Sequence, residues 1–417
     1  MNDQKSSYDI VVVGGGSAGI ATAASLLKRR HWLNIAIVEP KDIHYYQPGW
    51  TMVGGGIFVA GETVSPQEKV IPEGATWIQD EVTTFDPENN CVNLNSGGSL
   101  SYKSLVVAPG LKLNLAAVEG LEETLGKNGV TSNYLFDGAP YTWKLVQNFK
   151  GGKAIFTQPP VPFKCAGAPQ KAMYLSCDEW LKKGVLDHTD VELCNAGPAL
   201  FGVADYIPPL MEWVEKYGIK LSFGHNLVAV DGERKVATFT VTDANGNTSR
   251  VEKEFDMLHV CPPQCALDFV ANSPLSNESG FLAVDINTLQ STKYPNVFGA
   301  GDTIATLNAK TAAAARKQAV VVAENLLAQM DRSELQSVYE GYGSCPLTVS
   351  KGKIILAEFG YGGKIMPTFP NWVNNSFKAT RRAWVLKADI LPYVYWNYML
   401  KGNELFAGSK KKESEHH

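Results

Sequence analysis

Apolar and polar positions alternate between two kinds of segment along the chain. Ile10–Val13, residues 34–38, Leu105–Ala108, Lys153–Phe156 and Val191–Cys194 are short apolar runs almost free of charge. Such runs read as strands buried on both faces of a parallel sheet. Stretches of helical character separate them: Ile20–Arg29, Tyr141–Asn148, a segment from about Gln170, and Ala204–Gly218 with two prolines in its first turns. Trp77–Phe85, Lys220–Val230 and Lys235–Val241 alternate enough to be strands. Cys91–Leu94 with Leu100–Tyr102, and Lys353–Tyr361, are expected to be paired strands.

The first strand runs into Gly14, Gly16 and Gly19, a G-x-G-x-x-G followed by helix-forming residues. The glycines allow a tight turn, a close backbone approach to a pyrophosphate and close helix–strand packing. Ser17 and Ala18 open the helix, whose free N–H groups and dipole favour an anion. The second strand ends at Glu39, 39 − 19 = 20 residues after the last glycine, where a carboxylate can accept from both ribose hydroxyls of an adenosine. This unit alone does not separate FAD from NAD. Farther along, Gly299-Ala-Gly301-Asp302 closes another short strand, and Lys310-Thr311 opens a small-residue helix. Asp302 suits a ribityl hydroxyl, and the helix N-terminus suits the electron-rich side of an isoalloxazine. Two half-motifs separated by an inserted domain point to FAD. Gln47, the Val82 amide, Ala108 and Gly110 are further contact candidates.

The expected architecture is α/β with two Rossmann-like domains. Residues 1–112 and 263–335 build the FAD domain, and 113–262 the second domain, with Phe255–Cys261 returning toward the first. Residues 336–417 form a C-terminal region. The second domain carries NAGPALFG, with Gly197 and Gly202, where a nicotinamide site would show a second G-x-G-x-x-G.

At 417 residues, with net charge −4 and pI about 6.0, nothing points to nucleic acid. No apolar run approaches the ~18 residues of a membrane-crossing helix, and no signal peptide is expected because the first strand starts so early. The tail from Ser409 is expected to be disordered. The seven cysteines are odd in number and irregular in spacing, unlike a disulfide scaffold, and scattered histidines give no metal site. Cys165 stands out, beside Lys164 and close before a helix, both of which favour thiolate. Cys345 is expected in a glycine-rich turn, and Cys177 reads as packing. Phe377–Gly402 is aromatic and basic, interrupted by Pro392, and reads as two amphipathic helices lying on a membrane surface. Trp384, Tyr393, Tyr395, Trp396 and Tyr398 would sit at headgroup depth, with a helix pair buried in a dimer interface or on the core as the competing reading.

With these residues in place, the chain resembles the sulfide:quinone oxidoreductase family, in the two-cysteine type shared by mitochondria and bacteria. The similarity runs through YDIVVVGGGSAG, YQPGWTMVG, FKCAGAPQK, YPNVFGAGD, KTAAAA, SCPL and KADILPYVYWNYML. It implies that Cys165 and Cys345 are the redox pair. Hydrosulfide attacks Cys345 and leaves a persulfide there, and Cys165 thiolate donates to FAD. A sulfur acceptor (a thiol, sulfite or sulfide) then removes the sulfur, and electrons pass to ubiquinone or menaquinone. It also places Lys387 near the flavin, and the protein peripherally on a bacterial or mitochondrial inner membrane, with homo-oligomers compatible. Cys261 and Cys265 have no assigned role. Two rival readings are a type II NADH:quinone dehydrogenase-like flavoprotein and a non-catalytic flavin-binding interaction protein.

Overall fold

The computed structural model describes residues 6–243 and 245–412. Strand β1 (Ser6–Val13) leads through the glycine turn into helix α1 (Ser17–Arg29) and strand β2 (Ile35–Val38). The expected single strand at Trp77–Phe85 is two, β3 (Ala75–Ile78) and β4 (Val82–Asp86), because residues 79–81 turn the chain. β3 pairs parallel with β2, whereas β4 pairs antiparallel with β5 (Cys91–Leu94), placing Val82 opposite Leu94. β5 is followed by β6 (Ser99–Val107). The parallel centre sets Val12 between Ile37 and Val106, and Ile10, Val11 and Val12 are fully buried.

The chain then builds a second, wholly parallel sheet. Its strands are β7 (Val130–Thr131), β8 (Gly152–Gln158), β9 (Thr189–Asn195), β10 (Lys220–Phe223) and Met257–His259. Helix α2 (Ala168–Lys182) lies between β8 and β9, and α3 (Ile207–Tyr217) between β9 and β10. Lys220–Val230 is not one strand: Gly224, at φ +67, ends β10, and β11 (His225–Asp231) starts a separate antiparallel sheet with β12 (Val236–Thr242) and β13 (Thr248–Glu254). Met257–His259, β14, pairs with β7 and β8, so it stays in the second sheet. The return to the first sheet comes at β15 (Val297–Gly299), where Phe298 pairs with Val106. Helix α4 (Ala312–Met330) follows, N-capped by the Thr311 hydroxyl, and packs against α1.

Cys345 lies in a strand, not a turn: β16 (Gly343–Ser350) forms a hairpin with β17 (Lys353–Phe359), and Cys345 pairs with Ala357. The hairpin packs on α2. Pro392 does not divide the C-terminal segment. The backbone stays right-handed helical from α5 (Arg381–Val385) through a π-turn (Leu386–Ile390) into α6 (Leu391–Asn397). Proline is tolerated there because it falls in the first turn of α6. The helical path changes at Tyr398 (φ −119, ψ −61). Of the expected disordered tail, Lys410–Lys411 pair with Ser337–Val338, and residues 413–417 lie outside the described residues. Among the described residues no helix is long and apolar enough to cross a membrane.

Candidate active site

The glycine turn has the shape its spacing implied. Gly14 (φ +103) admits no side chain, since a Cβ would lie 2.5 Å from the Ala108 carbonyl oxygen. A Cβ on Gly19 would fall 1.9 Å from the Gly14 oxygen, so α1 could not close onto β1. Gly16 is different: a Cβ there meets nothing within 4 Å, and as N-cap it gives α1 no side-chain hydrogen bond. An open, uncapped helix start of this kind fits a pyrophosphate. Glu39 Oε2 accepts the Gly15 N–H at 2.8 Å and its Oε1 accepts Lys41 N–H, so the carboxylate braces the turn and keeps lone pairs for a ribose.

The second half-motif faces the same region. Gly301 (φ +80) donates its N–H to Gln318 Oε1 at 2.8 Å. Among the described residues nothing hydrogen-bonds the Asp302 carboxylate; burial raises its pKa, while Lys310 and Lys164 pull it back. Lys310 Nζ donates to Ile304 O at 2.8 Å, and burial lowers it to about 8. Thr311 is committed to capping α4, accepting from Ala314 N–H. Gly110 (φ +79) has open space around it. An uncapped turn, a free carboxylate and two lysines form a donor and acceptor set that fits FAD.

The fold brings the two cysteines together. Cys165 sits in the left-handed region (φ +52), with its N–H bonded to Lys310 O at 2.8 Å. Cys345 is 2% exposed, and a Cβ on Gly167 would lie 2.5 Å from its Sγ, so only glycine lets the α2 entry pass this thiol. Both are free thiols, and each perturbs the other's ionisation. The neighbouring Cys345 thiol, followed by Lys171, holds Cys165 well below an ordinary thiol against the opposing effect of burial. The Cys165 sulfur and burial push Cys345 well up.

The lysine that matters is not the sequence neighbour. Lys164 Nζ reaches Gln47 Oε1 at 2.7 Å, tying the cysteine loop to the 43–50 loop, while buried Lys171 places its Nζ 3.1 Å from Cys165 Sγ. Sequence reasoning missed Lys171. Lys387 is also buried, donating to Pro48 O at 2.8 Å; burial and then Lys171 bring it down to about 7. Cys177 is fully buried in α2, and Cys261 is buried against Tyr134, Phe163 and Ala168, where burial raises its pKa. Cys265 pairs with Lys112 at a sheet edge.

Where a nicotinamide phosphate would lie, the chain binds itself. Asn195 Oδ1 accepts Gly197 N–H at 2.7 Å, Asn195 Nδ2 donates to Ala199 O at 2.9 Å, and the Leu200 carbonyl takes a bond from Gln170 Nε2.

A dinucleotide cradle beside a cysteine pair defines the disulfide-oxidoreductase class of flavoproteins. A family model described as pyridine nucleotide-disulphide oxidoreductase matches residues 8–137. Over 418 aligned residues the chain is 41% identical to the mitochondrial sulfide:quinone oxidoreductase of Dictyostelium discoideum, covering 98% of this chain and 90% of that one. It is 38% identical to the mitochondrial enzyme of Mus musculus, covering 95% and 87%. The chain belongs to the sulfide:quinone oxidoreductase family. The crystal structure of the Aquifex aeolicus sulfide:quinone oxidoreductase shares its fold, with a TM-score of 0.78 at 21% identity over 96% of this chain and 92% of that one.

Proposed function

We propose that the protein oxidises hydrosulfide at the Cys165/Cys345 pair and delivers the electrons to a membrane quinone through FAD. The observation that carries the residue assignment is the asymmetry of the pair: Lys171 Nζ lies 3.1 Å from Cys165 Sγ, and among the described residues no lysine hydrogen-bonds Cys345. In thiol–disulfide exchange the sulfur of lower pKa leaves faster. Hydrosulfide therefore attacks the Cys345 sulfur of the oxidised pair. The Cys165–Cys345 bond breaks, a new S–S bond forms on Cys345, and Cys165 departs with the electron pair as a thiolate facing Lys171. A small nucleophile (thiol, sulfite or a second sulfide) takes the outer sulfur and leaves Cys345 as thiolate. Two electrons then leave through Cys165 as the disulfide re-forms. FAD, cradled by Gly14, Gly16, Ser17, Ala18, Gly19, Glu39, Gly301 and Asp302, supplies the two-electron chemistry that links the cysteine pair to the quinone. Gln47, Val82, Ala108, Gly110, Lys310, Thr311 and Lys387 complete its surroundings.

We assign the membrane contact to one face of the C-terminal segment. Trp372, Val385, Ile390 and Tyr393 are 82%, 40%, 46% and 59% exposed, and Arg381 and Arg382 flank them. Amphipathic rings and basic side chains suit a headgroup layer, each arginine contributing about 1 kcal/mol on an anionic surface. Tyr395 is excluded from that face, being 3% exposed in the FAD-domain core. The self-bonded Asn195 loop argues against the NADH dehydrogenase reading. An anaerobic titration separates the two: sulfide should bleach the flavin rapidly and NADH should not, and the reverse result would overturn the proposal.

A further inference from the structure

Four side chains from different parts of the chain hold the glycine turn before α1. Glu39 takes the Gly15 N–H. Gln67 Nε2 and His44 Nδ1 contact the Gly15 oxygen at 2.9 and 3.1 Å. Tyr395 places its hydroxyl 2.7 Å from Ser17 Oγ and 2.6 Å from His44 Nε2. Tyr395 comes from α6, 378 residues after Ser17. Both His44 and Tyr395 are 3% exposed, so water does not compete for these bonds.

The directions of these bonds follow from the carbonyl at one end. The Gly15 oxygen only accepts, so His44 Nδ1 carries the hydrogen. Burial keeps His44 neutral, which leaves Nε2 as an acceptor. Tyr395 donates its single hydrogen to Nε2, and its oxygen accepts from Ser17. The Ser17 hydroxyl is therefore spent on the protein, and its contribution to a phosphate is the backbone N–H at the helix start. A second tie from the same helical segment, Lys387 Nζ to Pro48 O at 2.8 Å, holds the neighbouring 43–50 loop.

We propose that Tyr395 is a positioning residue for the dinucleotide: its hydroxyl fixes Ser17 directly and Gly15 through His44, so the C-terminal helix shapes the turn that receives the pyrophosphate. The proposal rests on the FAD assignment. Because coupling free energies are reciprocal, FAD binding must in turn stabilise α6. The helix that carries the lipid-facing side chains and the cofactor turn are then one cooperative unit.

The test uses full-length protein stripped of FAD, with FAD affinity read by flavin fluorescence and amide exchange followed across residues 391–397. Tyr395→Phe keeps the ring packing on Tyr46 (centroids 4.7 Å apart) and removes only the hydroxyl. It removes the two buried hydrogen bonds of that hydroxyl and should weaken FAD roughly tenfold, part of their net free energy appearing in the affinity. Ser17→Ala should weaken FAD by no more than Tyr395→Phe does, and the double variant should be no worse than Tyr395→Phe alone. FAD should slow exchange across 391–397 in the unmodified protein and not in Tyr395→Phe. Unchanged affinity in Tyr395→Phe, or additive losses in the double variant, would overturn the proposal. If Tyr395→Phe does not fold, Ser17→Ala combined with His44→Ala decides through the exchange measurement, because it cuts both ties from the turn side and leaves α6 unaltered in sequence: FAD protection of 391–397 that persists in that variant would overturn it. Failure of the unmodified protein to take up FAD would overturn the cofactor assignment and the proposal with it.

Discussion

Replacing Lys171 with methionine tests the electrostatics of the cysteine pair. The ammonium is buried and lies 3.1 Å from Cys165 Sγ, so solvent screens it little. A hydrogen bond to a charged group contributes about 1.5–3 kcal/mol, and one pKa unit corresponds to about 1.36 kcal/mol. Methionine, of similar volume and without charge, should raise the Cys165 pKa by roughly one to two units. The assay is the pH dependence of iodoacetamide labelling, read on the Cys165 peptide by mass spectrometry so that the other cysteines do not interfere. Lys171→Arg should fall between methionine and the native residue, since it restores charge with a different geometry. A labelling midpoint that moves by less than about half a unit in Lys171→Met would refute Lys171 as the countercharge.

Three further outcomes follow from the geometry. Gly19→Ala forces a Cβ to within 1.9 Å of the Gly14 oxygen, and should lower stability by about 2–4 kcal/mol and release FAD, as read by thermal melting with flavin fluorescence. Val385→Glu with Ile390→Glu puts two charges on the exposed apolar face and should reduce flotation with anionic liposomes; undiminished flotation would move the attachment site elsewhere. Glu324 is held at about 2, burial being outweighed by hydrogen bonds from Lys411, Ser337, Ser409 and Arg29. A depressed carboxylate stabilises the fold above its unfolded value near 4.5, and that stability is lost as pH falls toward 2. Glu324→Gln should cost about 1–2 kcal/mol at neutral pH and flatten the acid limb of a denaturation series.

The nucleotide turn was legible in the sequence because its chemistry is local: spacing among Gly14, Gly16, Gly19 and Glu39 states the geometry almost completely. The thiolate partner was not. Lys164 adjoins Cys165 in sequence, but the left-handed turn at Cys165 and the start of α2 at Ala168 swing the chain so that Lys171 comes back over the sulfur. Glycine misled in the other direction at Gly343, which suggested a turn near Cys345. It lies in β16, where a Cβ would press to 3.1 Å on Ala309, so its role is close approach rather than bending. Aromatic residues of the C-terminal segment read alike whether they meet lipid or protein, because both are apolar. Periodicity could not set Tyr395 apart from Tyr393. For that reason removing everything after Ser376 does not isolate a membrane foot, since it also strips Tyr395, Met399 and Leu400 from the core of the FAD domain.

Cys165 carries a β-carbon at φ +52, a conformation in which glycine is at ease and other residues are held at a cost of about 1–3 kcal/mol. The surroundings must supply that free energy continuously, through the bond to Lys310 O and the packing of Phe163 and Ala168 nearby. A glycine at position 165 would relax the loop and abolish the thiol at once. Variants selected for thermal robustness alone would therefore drift toward losing this thiol, which the proposed sulfide chemistry requires. The residue most exposed to that conflict is the one on which the proposed chemistry turns.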